Sequence, residues 1–225
     1  MSLELSVVLP IHNQADHIAR VLKKYEKEFK GRSWEIVLVP NACSDDSLQI
    51  CRKIAKKNTK IRVVENPAGG WGLSVRVGLQ SAKGRFVCYS NSARTDPATI
   101  CQLFDEFKKT PTAMVKISRY DRGDFLRELG STLYNFECHL LFNFISRDVN
   151  GTPKIFAKEL LKRMRLTSDG DLLDAEFLAW CHRLQVPIIE TRLRGWSRHG
   201  NKSTTTIKSA FLMYLGAIKI WRNMK

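Results

Sequence analysis

Five short apolar, β-branched runs alternate with stretches of helical spacing over the first 120 residues, and this alternation limits the fold more than any other feature of the chain. Ser6–Pro10 (SVVLP) precedes Ile18, Val21, Leu22, Tyr25 and Phe29, which recur every three or four residues and so share one helix face. Glu35–Pro40 (EIVLVP) precedes Leu48, Ile50, Cys51, Ile54 and Ala55, and Ile61–Asn66 (IRVVEN) precedes Val75, Leu79 and Ala82. Arg85–Ser90 (RFVCYS) precedes Ile100, Leu103, Phe104 and Phe107, and Ala113–Ser118 (AMVKIS) closes the series. Strands separated by helices are joined by crossovers, so they run parallel and are covered on both faces. The expected fold class is α/β, with a mostly parallel central sheet flanked by helices.

In open sheets of this kind, ligands bind beyond the carboxyl ends of the strands, near the point where strand order reverses. That rule singles out His12, Asn13, Asn41, Asn66 and the stretch Ser90 to Arg94. From Phe125 the pattern changes to a long apolar helical stretch (Leu126, Leu129, Leu133, Phe136, Leu140, Leu141, Phe144), then to mixed strand and helix, then to a basic amphipathic tail. No tandem repeat or low-complexity linker divides the chain. It is read as a single domain in three regions: 1–120 holding one ligand, 121–203 holding a second, and 204–225 forming the tail helix.

Composition narrows the function classes. With 225 residues, 44% hydrophobic and 26% charged, the chain is neither disordered, collagen-like nor a disulfide-stapled mini-fold. A net charge of +15 favours phosphates, nucleic acid or an anionic membrane surface as partners. The basic residues are dispersed and no nucleic-acid module is visible, so no specific nucleic acid is expected. The six cysteines show no metal-type spacing, which favours free thiols in a reducing compartment, the cytoplasm. No secretion signal is visible, and the apolar stretch Ala210 to Ile218, between Lys208 and Lys219, is too short to span a bilayer.

The strand ends carry a resemblance. SVVLPIHNQADHI, EIVLVPNACSDDS, GGWGLSVRVG leading into SAKGRFVCYSNSARTDP, RDVNGTPKIF and RGWSRHGNKS, in this order and spacing, resemble the family 2 glycosyltransferases. These are inverting enzymes of GT-A fold, and the likeness is to dolichol-phosphate mannose synthases and bacterial polyprenyl-phosphate glycosyltransferases. The resemblance implies a nucleotide sugar bound by region 1–120 and a lipid-phosphate acceptor bound by region 121–203. It implies nucleotide-sugar contacts at Pro10, His12, Asn13, Asn41, Gly72, Arg76, Ser90, Asn91 and Ser92. A uracil nucleotide is preferred over a guanine nucleotide because relatives using it are common.

The chain also departs from the family. Gln14 stands where an acid usually follows the Asn of the first strand end, and Pro40 and Asn41 stand where an Asp pair holds the nucleoside. The Asp-x-Asp that holds Mg²⁺ or Mn²⁺ falls on Ser90-Asn91-Ser92, so no metal cofactor is expected. Arg94 is expected to replace the cation, bridging the diphosphate while Ser90 and Ser92 donate hydrogen bonds; alternatively the site has decayed and Arg94 points to solvent. Positive charge for an acceptor phosphate is expected from Arg119, Arg147, Lys154, Arg198 and Lys202, and the resemblance carries Arg198, Gly200 and Ser203 to the donor-diphosphate and acceptor-phosphate side. Asp148 either orients the acceptor or acts as base, or else caps a turn or pairs with Arg147. Asp174 and Glu176 match an acidic family helix, but two acids at i and i+2 point in different directions, so at least one is expected on a solvated face.

Other features are weaker. Gly69, Gly70 and Gly72 form either a phosphate-cradling loop or a flexible turn. GWSRHGNKS approaches a phosphate-binding P-loop, but Asn201 intrudes before Lys202 and no strand–loop–helix setting precedes it. The tail suits an anionic membrane surface at the inner, cytoplasmic face, or packing onto the core or a membrane partner. Two functions remain: transfer of a sugar from a nucleotide sugar to a polyprenyl phosphate or related acceptor, with metal independence the expectation, and an inactive homologue kept as a nucleotide-binding or interaction module.

Overall fold

The computed structural model describes residues 3–120, 125–194 and 207–224. The first half alternates as the periodicity predicts: β1 (Leu5–Ile11), α1 (Ile18–Glu28), β2 (Trp34–Pro40), α2 (Ser47–Lys57), β3 (Ile61–Val63), α3 (Trp71–Ser81), β4 (Phe86–Tyr89), α4 (Pro97–Phe107) and β5 (Met114–Tyr120). The second half holds α5 (Phe125–Phe142), β6 (Lys154–Ala157), a 3₁₀ turn at Lys158–Arg163, α6 (Leu173–Arg183), β7 (Ile188–Arg194) and α7 (Ile207–Met224).

The seven strands form one sheet in the order β3-β2-β1-β4-β6-β5-β7. Every neighbouring pair is parallel except the two made by β6, which runs antiparallel to both β4 and β5. The sheet is therefore two strands wider than the five-run pattern, and β5 is separated from β4 by a strand that comes later in the chain.

β1 lies inside the sheet and its side chains alternate between two cores. Leu5, Val7, Leu9 and Ile11 pack with residues of α1, α2 and α4, while Val8 packs with α3 and α6 on the other face. Gly78 makes the second contact possible: a Cβ there would lie 2.3 Å from Val8 Cγ1. α4 starts abruptly because Pro97 opens it and Asp96 caps it, its carboxylate accepting from Ala98 N at 2.9 Å.

α5 and α7 pack against each other through the rings of Tyr134 and Tyr214, and Tyr214 Oη donates to Gly130 O at 2.9 Å. The opposite side of α5 is apolar and open to solvent: Leu129, Leu133, Phe136 and Leu140, at positions i, i+4, i+7 and i+11, are 46% to 66% exposed. α7 adds Leu212 and Leu215, also half exposed, followed by exposed Lys219 and Arg222. Among the described residues no helix is long and apolar enough to cross a membrane.

Candidate functional site

Strand order reverses between β1 and β4, since the chain passes from β1 to β2 on one side and places β4 on the other. The loops after β1, β2 and β4 meet there. Asn13 and Ala42 hold left-handed backbone, with φ of 50° and 44°. Asparagine tolerates that conformation because its side chain bonds locally, and Asn13 Oδ1 accepts from Ser44 N at 2.9 Å while its amide donates to Ser44 Oγ at 3.1 Å. Asp45 ties the same loops, accepting from Ala15 N and Ser47 N, and Ser47 Oγ accepts from Gln14 N at 2.7 Å. Burial pushes the Asp45 carboxyl up, but the hydrogen bonds from Ser47 and Ala15 outweigh it and leave the pKa below its ordinary value.

On the β2 side, exposed His12 reaches back with Nδ1 2.7 Å from Asn41 O. Asn66 lies beside Asn41 in a parallel bridge, and its amide donates to Gly69 O and Ser74 Oγ. Asn41 is buried, and its Oδ1 accepts no hydrogen bond. A buried acceptor without a donor is costly.

The turn after β4 is neutral and closed on itself. Ser90 Oγ donates to Thr95 Oγ1, and Ser92 Oγ donates across the switch point to Gln14 Oε1, each at 2.7 Å. All four residues are buried. Asn91 Oδ1 accepts from Ala93 N, and its carbonyl accepts from Arg94 N and Thr95 N, which shapes the turn that carries half-buried Arg94. A divalent cation does not fit this set. Hard cations take carboxylate oxygens, whereas these side chains are neutral and the Ser90 and Ser92 hydroxyls donate to Thr95 and Gln14. Among the described residues no three His, Cys, Asp or Glu converge to hold a metal.

The second half buries charge. Tyr89 of β4, Lys154 of β6, Lys116 of β5 and Glu190 of β7 stand directly opposite one another along the register, on one face of the sheet. Lys154 Nζ donates to Asp174 Oδ1 and to Val149 O, and Tyr89 Oη donates to the same Asp174 oxygen at 2.8 Å. Lys116 Nζ donates to Asp148 O, to Glu190 Oε1 at 3.1 Å and to Ser146 Oγ. Arg119 clasps Asp148 with Nε at 2.7 Å and Nη2 at 3.0 Å, and its backbone N donates to the same carboxylate. Lys116, Lys154 and Arg119 thus face Asp148, Asp174 and Glu190. Burial, with the Lys154 charge adding to it, lowers the Lys116 pKa to about 8 against the opposing pull of Glu190 and Asp148.

Residues 6–165 match the family described as Glycosyl transferase family 2. The chain belongs to that family. The dodecaprenyl-phosphate galacturonate synthase of Rhizobium johnstonii is 24% identical over 175 residues, 75% of this chain and 52% of the relative, so the chain spans about half of that protein's length. The dolichyl-phosphate beta-glucosyltransferase of Saccharomyces cerevisiae is 24% identical over 238 residues, 91% of this chain and 70% of its own. The glucosyl-3-phosphoglycerate synthase from Mycobacterium tuberculosis, solved with Mn²⁺, UDP and phosphoglyceric acid, shares the GT-A fold at a TM-score of 0.74 and 18% identity, over 98% of this chain and 78% of that one.

In this family 2 chain His12, Asn13, Asn41, Ser90, Asn91 and Ser92 gather at the carboxyl ends of β1, β2 and β4. The hydroxyls of Ser90 and Ser92, expected to donate to a diphosphate, instead donate to Thr95 and Gln14. Pro10 is buried within β1, opposite Val39. Gly72 and Arg76 both seat the 167–170 segment on the start of α3. A Cβ on Gly72 would lie 2.4 Å from Ser168 O, and Arg76 Nη1 donates to Asp169 Oδ1 at 2.5 Å and to Thr167 O at 3.0 Å.

On the acceptor side Lys154 is fully buried and held by Asp174, and Arg119 is held by Asp148, so neither ammonium nor guanidinium is presented as an open phosphate site. Asp148 pairs with Arg119, not Arg147; the Arg147 side chain is exposed while its backbone N donates to Glu190. Neither Asp174 nor Glu176 lies on a solvated face: Glu176 is buried and accepts from Thr167 N, Thr167 Oγ1 and Ser168 N. Arg198, Gly200, Lys202 and Ser203 lie outside the described residues. Sequence reasoning missed Ser44, Asp45, Ser47 and Thr95. The SDDS stretch was the available signal, since Asp and Ser bond nearby backbone and clasp loops.

Proposed function

We propose that this protein transfers a sugar, with inversion, from a nucleoside diphosphate sugar to a polyprenyl phosphate on the cytoplasmic face of a membrane. The observation that carries the reading is the loop cluster at the β1/β4 switch point, where the unpartnered Asn41 Oδ1 and the Arg94 turn face the place where this fold class binds ligands. A ring N–H donor satisfies Asn41 Oδ1; uracil and guanine have one, whereas adenine and cytosine present an acceptor there. Uracil is the favoured base.

The chemistry follows from charge. The acceptor phosphate oxygen is ionised at neutral pH, so it attacks the anomeric carbon without first losing a proton. A bond forms between that oxygen and the carbon, the bond to the diphosphate breaks, and its electron pair leaves with the nucleoside diphosphate. The protein's part is to align the two and to stabilise the leaving charge. Arg94 is assigned to the leaving diphosphate and exposed Arg147 to the acceptor phosphate, while Asp148 keeps Arg119 in place as a positioning residue. The exposed leucines and Phe136 of α5, with Leu212, Leu215, Lys219 and Arg222 of α7, form the surface that meets anionic lipid.

The test is product formation from UDP-, GDP- and dTDP-sugars with polyprenyl phosphate in anionic vesicles. A glycolipid made from a UDP-sugar, lost in Arg94→Ala and Arg147→Ala, is expected. Absence of product with every donor, in a chain that still binds nucleotide, would assign it to the inactive homologues.

A further inference from the structure

We propose that the donor diphosphate is held here without a divalent cation, by a strand-end turn rebuilt to be complete in its neutral form. This inference deepens the reading above and rests on it. Its starting point is the pairing across the switch point. Ser92 with Gln14, and Ser90 with Thr95, form two hydrogen-bonded pairs that commit the two serine hydroxyl protons to protein acceptors and place no negative charge in need of a counterion. Two carboxylates in this enclosed turn would repel each other until a cation arrived. The pairs seen here carry no such repulsion.

Two carboxylates of the strand-end loops, Asp45 and Asp96, do not supply the missing ligands. Asp45 accepts from Ala15 N and Ser47 N, and Asp96 accepts from Ala98 N at the start of α4. Each is held by backbone N–H groups that its own loop requires.

The same turn carries an arginine. Arg94 follows Ser92 by two residues, is half-buried, and has its backbone N anchored on Asn91 O at 3.0 Å. A guanidinium offers a planar pair of N–H donors matched to two phosphate oxygens, is charged at every working pH, and needs no loading from solution. Replacing acids by neutral residues and adding one arginine shifts the local charge in the direction a metal would.

Binding of UDP and of UDP-, GDP- and dTDP-sugars to the full chain, measured by calorimetry in EDTA and again with excess Mn²⁺, tests the proposal. The dissociation constants are expected to agree within about twofold. Arg94→Ala is expected to weaken binding at least tenfold in both conditions, and Arg94→Lys by less. The paired change Ser90→Asp with Ser92→Asp is expected to weaken binding in EDTA and to recover it with Mn²⁺. Wild-type binding that needs Mn²⁺, or tightens tenfold with it, overturns the metal-free proposal and leaves the sugar-transfer reading intact. Binding in EDTA unaffected by Arg94→Ala overturns the arginine's part. Failure of UDP-, GDP- and dTDP-sugars to bind in either condition overturns the sugar-transfer reading itself. Circular dichroism of each variant establishes that it folds, and the wild-type comparison stands even where the double aspartate variant does not.

Discussion

At the carboxyl ends of β1 and β4 the buried polar side chains are neutral and close on one another, Ser92 on Gln14 and Ser90 on Thr95. Across β6, β5 and β7 they are charged: Lys154, Lys116 and Arg119 against Asp174, Glu190 and Asp148. The two regions differ in what the loss of one member does. A hydroxyl removed from a neutral pair leaves one uncharged acceptor unpaired, at a cost of about 1–2 kcal/mol, whereas a carboxylate removed from a charged pair strands an ion in the core. The neutral end can therefore change its ligand chemistry without unfolding the sheet. The charged half is fixed, and its cations are framework.

The largest expected effect breaks that contrast at its strongest point. Asp174→Ala leaves the Lys154 ammonium, fully buried, without its carboxylate, and also takes the acceptor from Tyr89. A loss of about 3–5 kcal/mol by urea unfolding is expected, and with it a Tm lower by roughly 10 °C. Adding Lys154→Met to the same chain should restore more than half of the loss. A cost below about 1 kcal/mol for the single change would mean that the charged row is not what holds β6 in place.

Next in size is a pH effect at Lys116. In the folded chain its proton leaves near pH 8, and in the unfolded chain near the ordinary 10.5. Between those values the unfolded state holds more protons, so stability rises with pH. The wild type should gain about 2 kcal/mol relative to Lys116→Met between pH 7.5 and 9.5. Taking the difference between the two chains cancels the contribution of the buried cysteines, whose thiols titrate in both. A flat difference would show that Lys116 keeps its charge in the core.

How much of this was legible in the sequence follows the same division. The strands β1 to β5 were readable because β-branched runs alternate with helical spacing, and the donor loops were readable because strand ends follow from strand order alone. β6 was hidden because KIFA is only four residues long and begins with a lysine. Its antiparallel insertion creates the Lys116 to Lys154 register, and no local pattern announces a pairing between residues 38 positions apart. Charge is visible in a sequence, but its direction is not, which is why Lys154 and Arg119 read as phosphate ligands. Asp174 and Glu176 misled for a related reason: both are enclosed, each by its own set of donors, although they point different ways from α6.

A smaller effect is expected at the neutral end. Ser92→Ala removes the donor to Gln14 Oε1 and should cost about 1–2 kcal/mol, since Gln14 is buried but uncharged. Gln14→Glu separates geometry from charge: the carboxylate still accepts from Ser92, yet a negative charge enters the turn beside Arg94. Nucleotide affinity should then fall more than stability does. Equal losses in both would mean that the turn serves the fold and not the ligand.

The smallest effect is expected at Arg76, and it separates a ligand from a strut. Arg76 pairs with Asp169, which is 65% exposed, so solvent screens the interaction. Arg76→Ala should cost less than about 1 kcal/mol. Because the guanidinium is turned to the 167–170 segment, nucleotide affinity should remain within about twofold of the wild type, less than about half a kcal/mol. Arg94→Ala, at the turn after β4, should instead lose tenfold or more. A tenfold loss at Arg76 as well would move the diphosphate toward the start of α3, where Gly70 and Gly72 bring the backbone close, and would extend the neutral, ligand-directed region of the molecule from the β1/β4 switch point to that helix.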